Sequence, residues 1–140
     1  AALIPDDFLP DVHTRLIMYK RIASVSDEDG LRDLQEEMID RFGMLPESLK
    51  NLFQVTKLKL KAGKLGIRKI ELGEKGGRLH FNEQTNIDTG QLINLIQSYP
   101  QNYKLDGQNK LRIIEDSSNG AMRFKILDDL FEKITMRNAA

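Results

Sequence analysis

Ile67-Arg68-Lys69-Ile70-Glu71-Leu72-Gly73-Glu74-Lys75-Gly76-Gly77-Arg78-Leu79-His80-Phe81-Asn82 is the stretch where the chain changes period, and its reading decides the fold. Ile67 to Leu72 and Arg78 to Asn82 read as two short strands. The segment Gly73-Glu74-Lys75-Gly76-Gly77 between them is a turn-rich link, so the whole predicts a β-hairpin. His80 alternates with Leu79 and Phe81, which points it away from the core side of its strand. The glycines are superficially similar to a phosphate-cradling loop. They join two strands, however, and no helix N-terminus follows to receive a phosphate.

Upstream of the hairpin the apolar spacing is helical. Residues 1–10, with Pro5, Asp6, Asp7 and Pro10, predict an extended lead-in. A first helix is expected from about Asp11, its cap, to Ala23, with Val12, Leu16, Tyr19 and Ala23 as its stripe. Ser26 is placed to cap a second helix whose stripe is Leu31, Leu34, Met38 and Phe42, ending at Gly43. Pro46 opens a third through Leu49, Leu52, Phe53 and Leu60, with Gly63 and Gly66 as alternative ends. The short link predicts that helices two and three lie antiparallel.

Downstream, Asp88-Thr89-Gly90-Gln91 forms a variant capping box before Leu92, Ile93, Leu95, Ile96 and Tyr99, and Pro100 blocks continuation. A second hairpin pairs Tyr103–Leu105 with Leu111–Glu115 around Asp106-Gly107-Gln108-Asn109. Met122, Ile126, Leu127, Leu130 and Ile134 mark a last helix. The expected fold is α+β: N-terminal helices followed by ββα-ββα, giving a four-stranded, largely antiparallel sheet packed with helices. The repeated ββα shows no residue-level match between its two units.

At 140 residues the chain suits one domain, 1–140, large enough to bury a core without metal or disulfide staples. Zero Cys excludes disulfides, thiolate zinc sites and cysteine nucleophiles. No run approaches the ~18 apolar residues of a membrane span. Ala1-Ala2-Leu3-Ile4-Pro5 has no initiating Met and no signal-peptide pattern, which reads as a piece of a longer polypeptide.

Enzyme signatures fail in turn. There is no P-loop. The two histidines, His13 and His80, lie far apart without a carboxylate pattern gathered around either. Element ends and solvated faces account for Asp6/Asp7, Glu115/Asp116 and Asp128/Asp129. No catalytic, cofactor-binding or metal residue is therefore assigned.

Twenty-one bases balance twenty-one acids, which argues against a protein whose whole surface grips nucleic acid. The balance is uneven along the chain. Residues 6–47 carry eleven acids and five bases, whereas residues 48–70 carry seven bases and no acid. On the second helix Asp33, Glu36, Glu37 and Asp40 fall opposite the apolar stripe, with Arg41 placed to pair with Glu37. Such a face is either simply solvated or a docking surface for a basic partner. In the basic stretch Lys57, Lys61 and Lys64 can share a helix face and Arg68 and Lys69 follow, while Lys59 points elsewhere. Without interleaved aromatics, nucleic-acid binding there is the alternative reading, and pairing within the chain with the acidic second helix explains the lysines equally well.

Ile4-Pro5-Asp6-Asp7-Phe8-Leu9-Pro10-Asp11-Val12, then Thr14-Arg15-Leu16 and Tyr19-Lys20-Arg21-Ile22, resembles the start of the C-terminal domain of bacterial transcription-repair coupling factors. Ile39-Asp40-Arg41-Phe42-Gly43 with Pro46 resembles that family's next signature. Lys64-Leu65-Gly66-Ile67-Arg68-Lys69 with Glu74-Lys75-Gly76-Gly77 resembles a third, and Tyr103 with Leu105-Asp106-Gly107 a fourth. The likeness runs in order over about residues 3–115, and the last helix matches in apolar pattern.

The resemblance implies a regulatory C-terminal domain of an ATP-driven DNA translocase, reached from upstream translocase modules through residues 1–10. The parent's motor would use ATP and Mg; this fragment itself would need no cofactor and would not be an enzyme. It implies docking on a UvrB-like N-terminal module of the same protein, masking the UvrA-binding surface. RNA polymerase and DNA would be reached through the parent, in the cytoplasm. The docking contact maps onto Glu37, Asp40 and Arg41, with Glu36 and Asp33 as neighbours. For Lys57, Lys61, Lys64, Arg68 and Lys69 a nucleic-acid or motor contact stays open.

Overall fold

The computed structural model describes residues 4–136, in the order α1 (Val12–Ser24), α2 (Glu28–Phe42), α3 (Glu47–Leu65), β1 (Ile67–Gly73), β2 (Gly76–Phe81), α4 (Thr89–Ser98), β3 (Tyr103–Leu105), β4 (Lys110–Ile113) and α5 (Gly120–Ile134). Residues 1–3 of the expected lead-in lie outside that range. Residues 1–60 and 61–140 form two compact units, the boundary falling within α3. Among the described residues no helix is long and apolar enough to cross a membrane.

In the first unit, Asp11 caps α1 by accepting from the His13 N–H, as its position before the first apolar residue predicts. The cap of α2 is Asp27, which accepts from the Gly30 N–H at 2.7 Å, not Ser26. A carboxylate is the stronger acceptor at the positive helix end, so it takes the position one residue later. Gly43 (φ 92) ends α2. Leu31, Leu34 and Met38 of α2 are buried with Leu45, Leu49 and Phe53, each such burial being worth about 1.5–3 kcal/mol.

Two further expectations fail here. The apolar stripe expected on α1 faces outward: Val12 is 58% and Leu16 55% exposed, Ala23 is exposed too, and Tyr19 is half-buried. The core instead takes Met18 and Ile22. Both sets have helical spacing, so contacts outside the helix decide. The Arg15 guanidinium donates to the Leu9 carbonyl and the Tyr19 hydroxyl accepts from the Ile4 N–H, which turns that side of α1 inward. Nor is the lead-in extended. The Phe8 and Leu9 N–H groups both donate to the Pro5 carbonyl, and this turn places Ile4 and Leu9 in the core.

Within the second unit α3 stops at Gly66 (φ 81) rather than Gly63, beyond which the chain enters β1. The sheet order is β1-β2-β4-β3 with every pairing antiparallel, as expected of two hairpins joined side by side. The order exchanges β1 with β3 and β2 with β4 about the central pair, so the ββα repeat is visible in topology. The β1–β2 loop residues Glu74 and Lys75 keep negative φ, and the left-handed step falls on Gly76 (φ 121). A Cβ on Gly76 would lie 2.1 Å from the Ile113 carbonyl oxygen of β4, and one on Gly77 1.8 Å from that of Glu71 in β1.

Leu79, Leu111 and Ile113 are almost wholly buried on the sheet, as are Leu130, Phe131 and Ile134 on α5. Helix α4 packs on α5 and β3, capped by Asp88, whose carboxylate accepts from the Gln91 N–H. The Asp88 N–H in turn donates to Ile134, tying the start of α4 to the end of α5. Ser117, buried after β4, donates to the Gly73 carbonyl and accepts from Arg123, fastening the sheet to α5. His80 does point to the outer side of β2, but it is 8% exposed rather than solvated, held by Glu71 Oε1 at 2.5 Å from its Nε2. Being on a central strand, it is flanked by β1 and β4, which alternation within β2 does not reveal.

Glycine substitutions separate backbone crowding from helix propensity. Gly77→Ala should destabilise the protein by on the order of 3 kcal/mol, because strand backbone must move. Gly63→Ala, in α3 with open space around it, should stabilise it by about 0.5–1 kcal/mol. Urea unfolding of both variants against the parent chain checks the pair.

Candidate functional site

Helix α2 sets its acidic side chains by period alone. With Leu31, Leu34 and Met38 inward, Asp33, Glu36 and Asp40 are exposed and Glu37 is half-buried beside α1. The Arg21 guanidinium of α1 grips Glu37 bidentately, through Nη1 to Oε2 and through Nη2 to Oε1 at 2.8 Å. Arg41 Nη1 donates to the same Oε2 at 3.2 Å, and its guanidinium also lies 4.8 Å from the Phe42 ring centroid. Phe42 meets Phe8 edge-on at 6.2 Å, so the turn before α1 supports the end of α2.

The five docking residues read from sequence therefore divide by role. Glu37 and Arg41 are tied into an Arg21–Glu37–Arg41 cluster. Asp33, Glu36 and Asp40 have no ion-pair partner among the described residues, which leaves their charge available. A shallow groove of about 310 Å³ runs between α1 and α2, with Arg21 and Glu37 on its wall, Leu34 within it and Asp33 also lining it. Sequence reasoning missed Arg21. It is sixteen residues from Glu37, beyond any helical spacing, and no local signal could have paired them.

The basic residues do not act alike. Lys57 is exposed on α3. Lys61 donates to Asp128 of α5 at 2.7 Å. Lys64, near the end of α3, is exposed, and its own carbonyl accepts from the Asn86 amide. Arg68 is exposed at the irregularity near the start of β1, and Lys69 lies 3.9 Å from Glu71. Pairing of these bases within the chain is seen at Lys61, with Asp128 of α5, and at Lys69, with Glu71.

A further set of charges, of which the sequence draws attention only to Lys69 and His80, comes together on the sheet. Opposed residues in the sheet share a face, so Lys69 and His80, Glu71 with Arg78 and Arg112, Lys110, and Lys104 all stand on the side away from Leu79, Leu111 and Ile113. Arg78 Nε donates to Asp106 at 2.7 Å. That bond holds the Asp106 carboxyl below its ordinary range, and the charges of Lys110 and Arg112 act in the same direction. The alternation Lys110-Leu111-Arg112-Ile113 was the available signal. Among the described residues, no group of three or more His, Asp or Glu is arranged to hold a metal ion.

The hydrogen bond from Arg21 lowers the Glu37 carboxyl from its ordinary 4.5 to about 2, with Arg41 adding to it. A depressed carboxylate stabilises the fold above its unfolded pKa, so this contribution is full above about pH 4.5 and is lost as pH falls toward 2. Carboxyl NMR should find Glu37 ionised down to about pH 2. Arg21→Met should return its midpoint most of the way to the ordinary value; an unchanged midpoint would show that Arg21 does not hold the group.

Comparison with known proteins identifies the family. Residues 1–92 match the family described as the TRCF domain. The transcription-repair-coupling factor of Escherichia coli (strain K12) is 47% identical over 124 residues, covering 89% of this chain and 11% of that protein. That of Haemophilus influenzae is 40% identical over 133 residues, 95% of this chain and 12% of that protein. The chain thus spans about a tenth of the length of these two relatives. A crystal structure of the C-terminal domain of transcription-repair coupling factor shares the α+β fold, with TM-score 0.71 over 94% of this chain and 85% of that one, at 22% identity. With residues 1–92 of its 140 matched in this way, the chain belongs to the TRCF domain family of transcription-repair coupling factors.

Proposed function

We propose that this chain is a non-catalytic, autoinhibitory domain of an ATP-dependent DNA translocase in transcription-coupled repair. It docks through α2 on a UvrB-like N-terminal module of the same protein and masks the surface that UvrA would use. The observation that carries this reading is the state of the α2 face. Asp33, Glu36 and Asp40 present carboxylates with no ion-pair partner among the described residues, while Glu37 is held by Arg21 and Arg41. Carboxylates on a rigid helix suit partner guanidinium groups, which bind them bidentately. Masking is then competition for one surface. A clamp worth about 2–4 kcal/mol would keep most molecules closed yet yield to a partner that binds the open form.

No observation favours a nucleic-acid site on α3 over this reading, since Lys61 is engaged with Asp128. RNA polymerase and DNA are reached through the remainder of the parent, whose motor supplies the ATP and Mg chemistry. A cytoplasmic setting goes with that role.

Charge reversal tests the docking face. Asp33→Lys with Asp40→Lys leaves the Arg21–Glu37 pair intact, so the domain should fold. In the full-length parent this variant should bind UvrA more tightly and hydrolyse ATP faster at rest. The unmodified contact should also weaken as salt rises. UvrA binding and ATPase both at parental levels would rule out α2 as the docking face.

A further inference from the structure

The outward face of the four-stranded sheet is a second charged surface, lying wholly within residues 61–140 and separate from α2. Register places Lys69 beside His80 beside Lys110, and Glu71 beside Arg78 beside Arg112 beside Lys104, across adjoining strands. Neighbouring strands lie about 4.8 Å apart, so these rows put cations at close, regular intervals. Lys104 and Arg112 are exposed and Lys110 is half-buried, and none of the three has an ion-pair partner among the described residues. Arg78 is fixed in place by Asp106, and Lys69 sits near Glu71.

The chemistry of this face selects its partner. Every strand position on it that carries a side chain is ionisable, with no apolar and no aromatic anchor. Protein interfaces are depleted of charge at their centres and rely on buried aromatic or aliphatic anchors, which this face lacks. Single-stranded nucleic acid is held largely by stacking on aromatic rings, also lacking. Phosphates along a duplex need only positioned cations and carry no demand for apolar contact. We infer that the outer sheet face of β1–β4 is a sequence-independent docking surface for the phosphate backbone of duplex DNA, with Lys104, Lys110 and Arg112 as the principal contacts. This assignment does not depend on the docking role of α2.

Three phosphate contacts set the expected salt dependence. The slope of log affinity against log salt should be about −3, so binding should weaken roughly 40-fold between about 50 and 200 mM salt. The test is fluorescence anisotropy of a labelled DNA duplex titrated with the full 140-residue chain. Lys104→Glu with Arg112→Glu, both exposed, should keep the circular dichroism spectrum, weaken binding at least ~10-fold and flatten the slope toward about −1. Lys57→Glu with Lys59→Glu on α3, and Asp33→Lys with Asp40→Lys on α2, should not flatten it.

Three results would overturn the inference. One is absence of duplex binding at low salt. Another is full binding by the folded Lys104→Glu, Arg112→Glu variant. The third is equally tight binding of poly-glutamate, which would make the face one for acidic polypeptide. Loss of binding only in the α3 variant would instead move the contact to Lys57 and its neighbours, and so also reject the sheet face. None of these results touches the UvrA and ATPase measurements on the parent, so the two proposals fail separately.

Discussion

Close approach of backbone at Gly76 and Gly77 is the constraint on which the C-terminal unit depends. The two residues stand where β1, β2 and β4 meet, and a methyl group on either would lie far inside van der Waals contact with a strand carbonyl oxygen. Because nothing projects there, two hairpins distant in sequence can share one ladder in the order β1-β2-β4-β3. The ladder then fixes which side chains are neighbours. Leu79, Leu111 and Ile113 go to the buried side, and the cations of all four strands line up on the other. A one-residue slip would exchange those faces, removing both the core and the charged rows.

The zero net charge of the chain is a sum over two unlike surfaces. One is a helix whose carboxylates face away from its apolar stripe, stiffened by an arginine clamp. The other is a sheet face of lysines and arginines with few acids among them. Physical consequences follow from each surface separately, because screening limits a charge to partners within about 10 Å at ordinary salt. Arg21 and Asp106 illustrate how the protein manages both. Each is an opposite charge set into a patch, Arg21 beside Arg41 and Asp106 alongside Glu71, and neither neutralises the patch as a whole.

Local signals were legible wherever a side chain answers to its own segment. Asp11 and Asp88 cap the helices they precede, the stripe of Leu31, Leu34 and Met38 faces the core, and Gly43 ends α2. Reading failed where a distant residue casts the deciding contact. Val12 and Leu16 have the spacing of a buried stripe, yet the bonds from Arg15 and Tyr19 to the preceding turn rotate them outward. Alternation did place His80 on the outer side of β2, but not its low exposure, which comes from its place between β1 and β4 and its bond to Glu71. The acidic helix was visible in sequence, whereas its clamp by Arg21 was not.

By itself the sequence determined the order of elements, the α+β class, the acid side of α2 and the family likeness, since all of these rest on periods, caps and short motifs. Only the tertiary structure decided which stripe of α1 is inward, that Arg21 joins Arg41 on Glu37 while Asp33, Glu36 and Asp40 have no ion-pair partner among the described residues, and that cations from four strands form one face. The physical reason is the range of the interactions. Helix period and capping act within about four residues, whereas strand register and the Arg21–Glu37 pair join residues far apart in the chain, and their geometry exists only after folding.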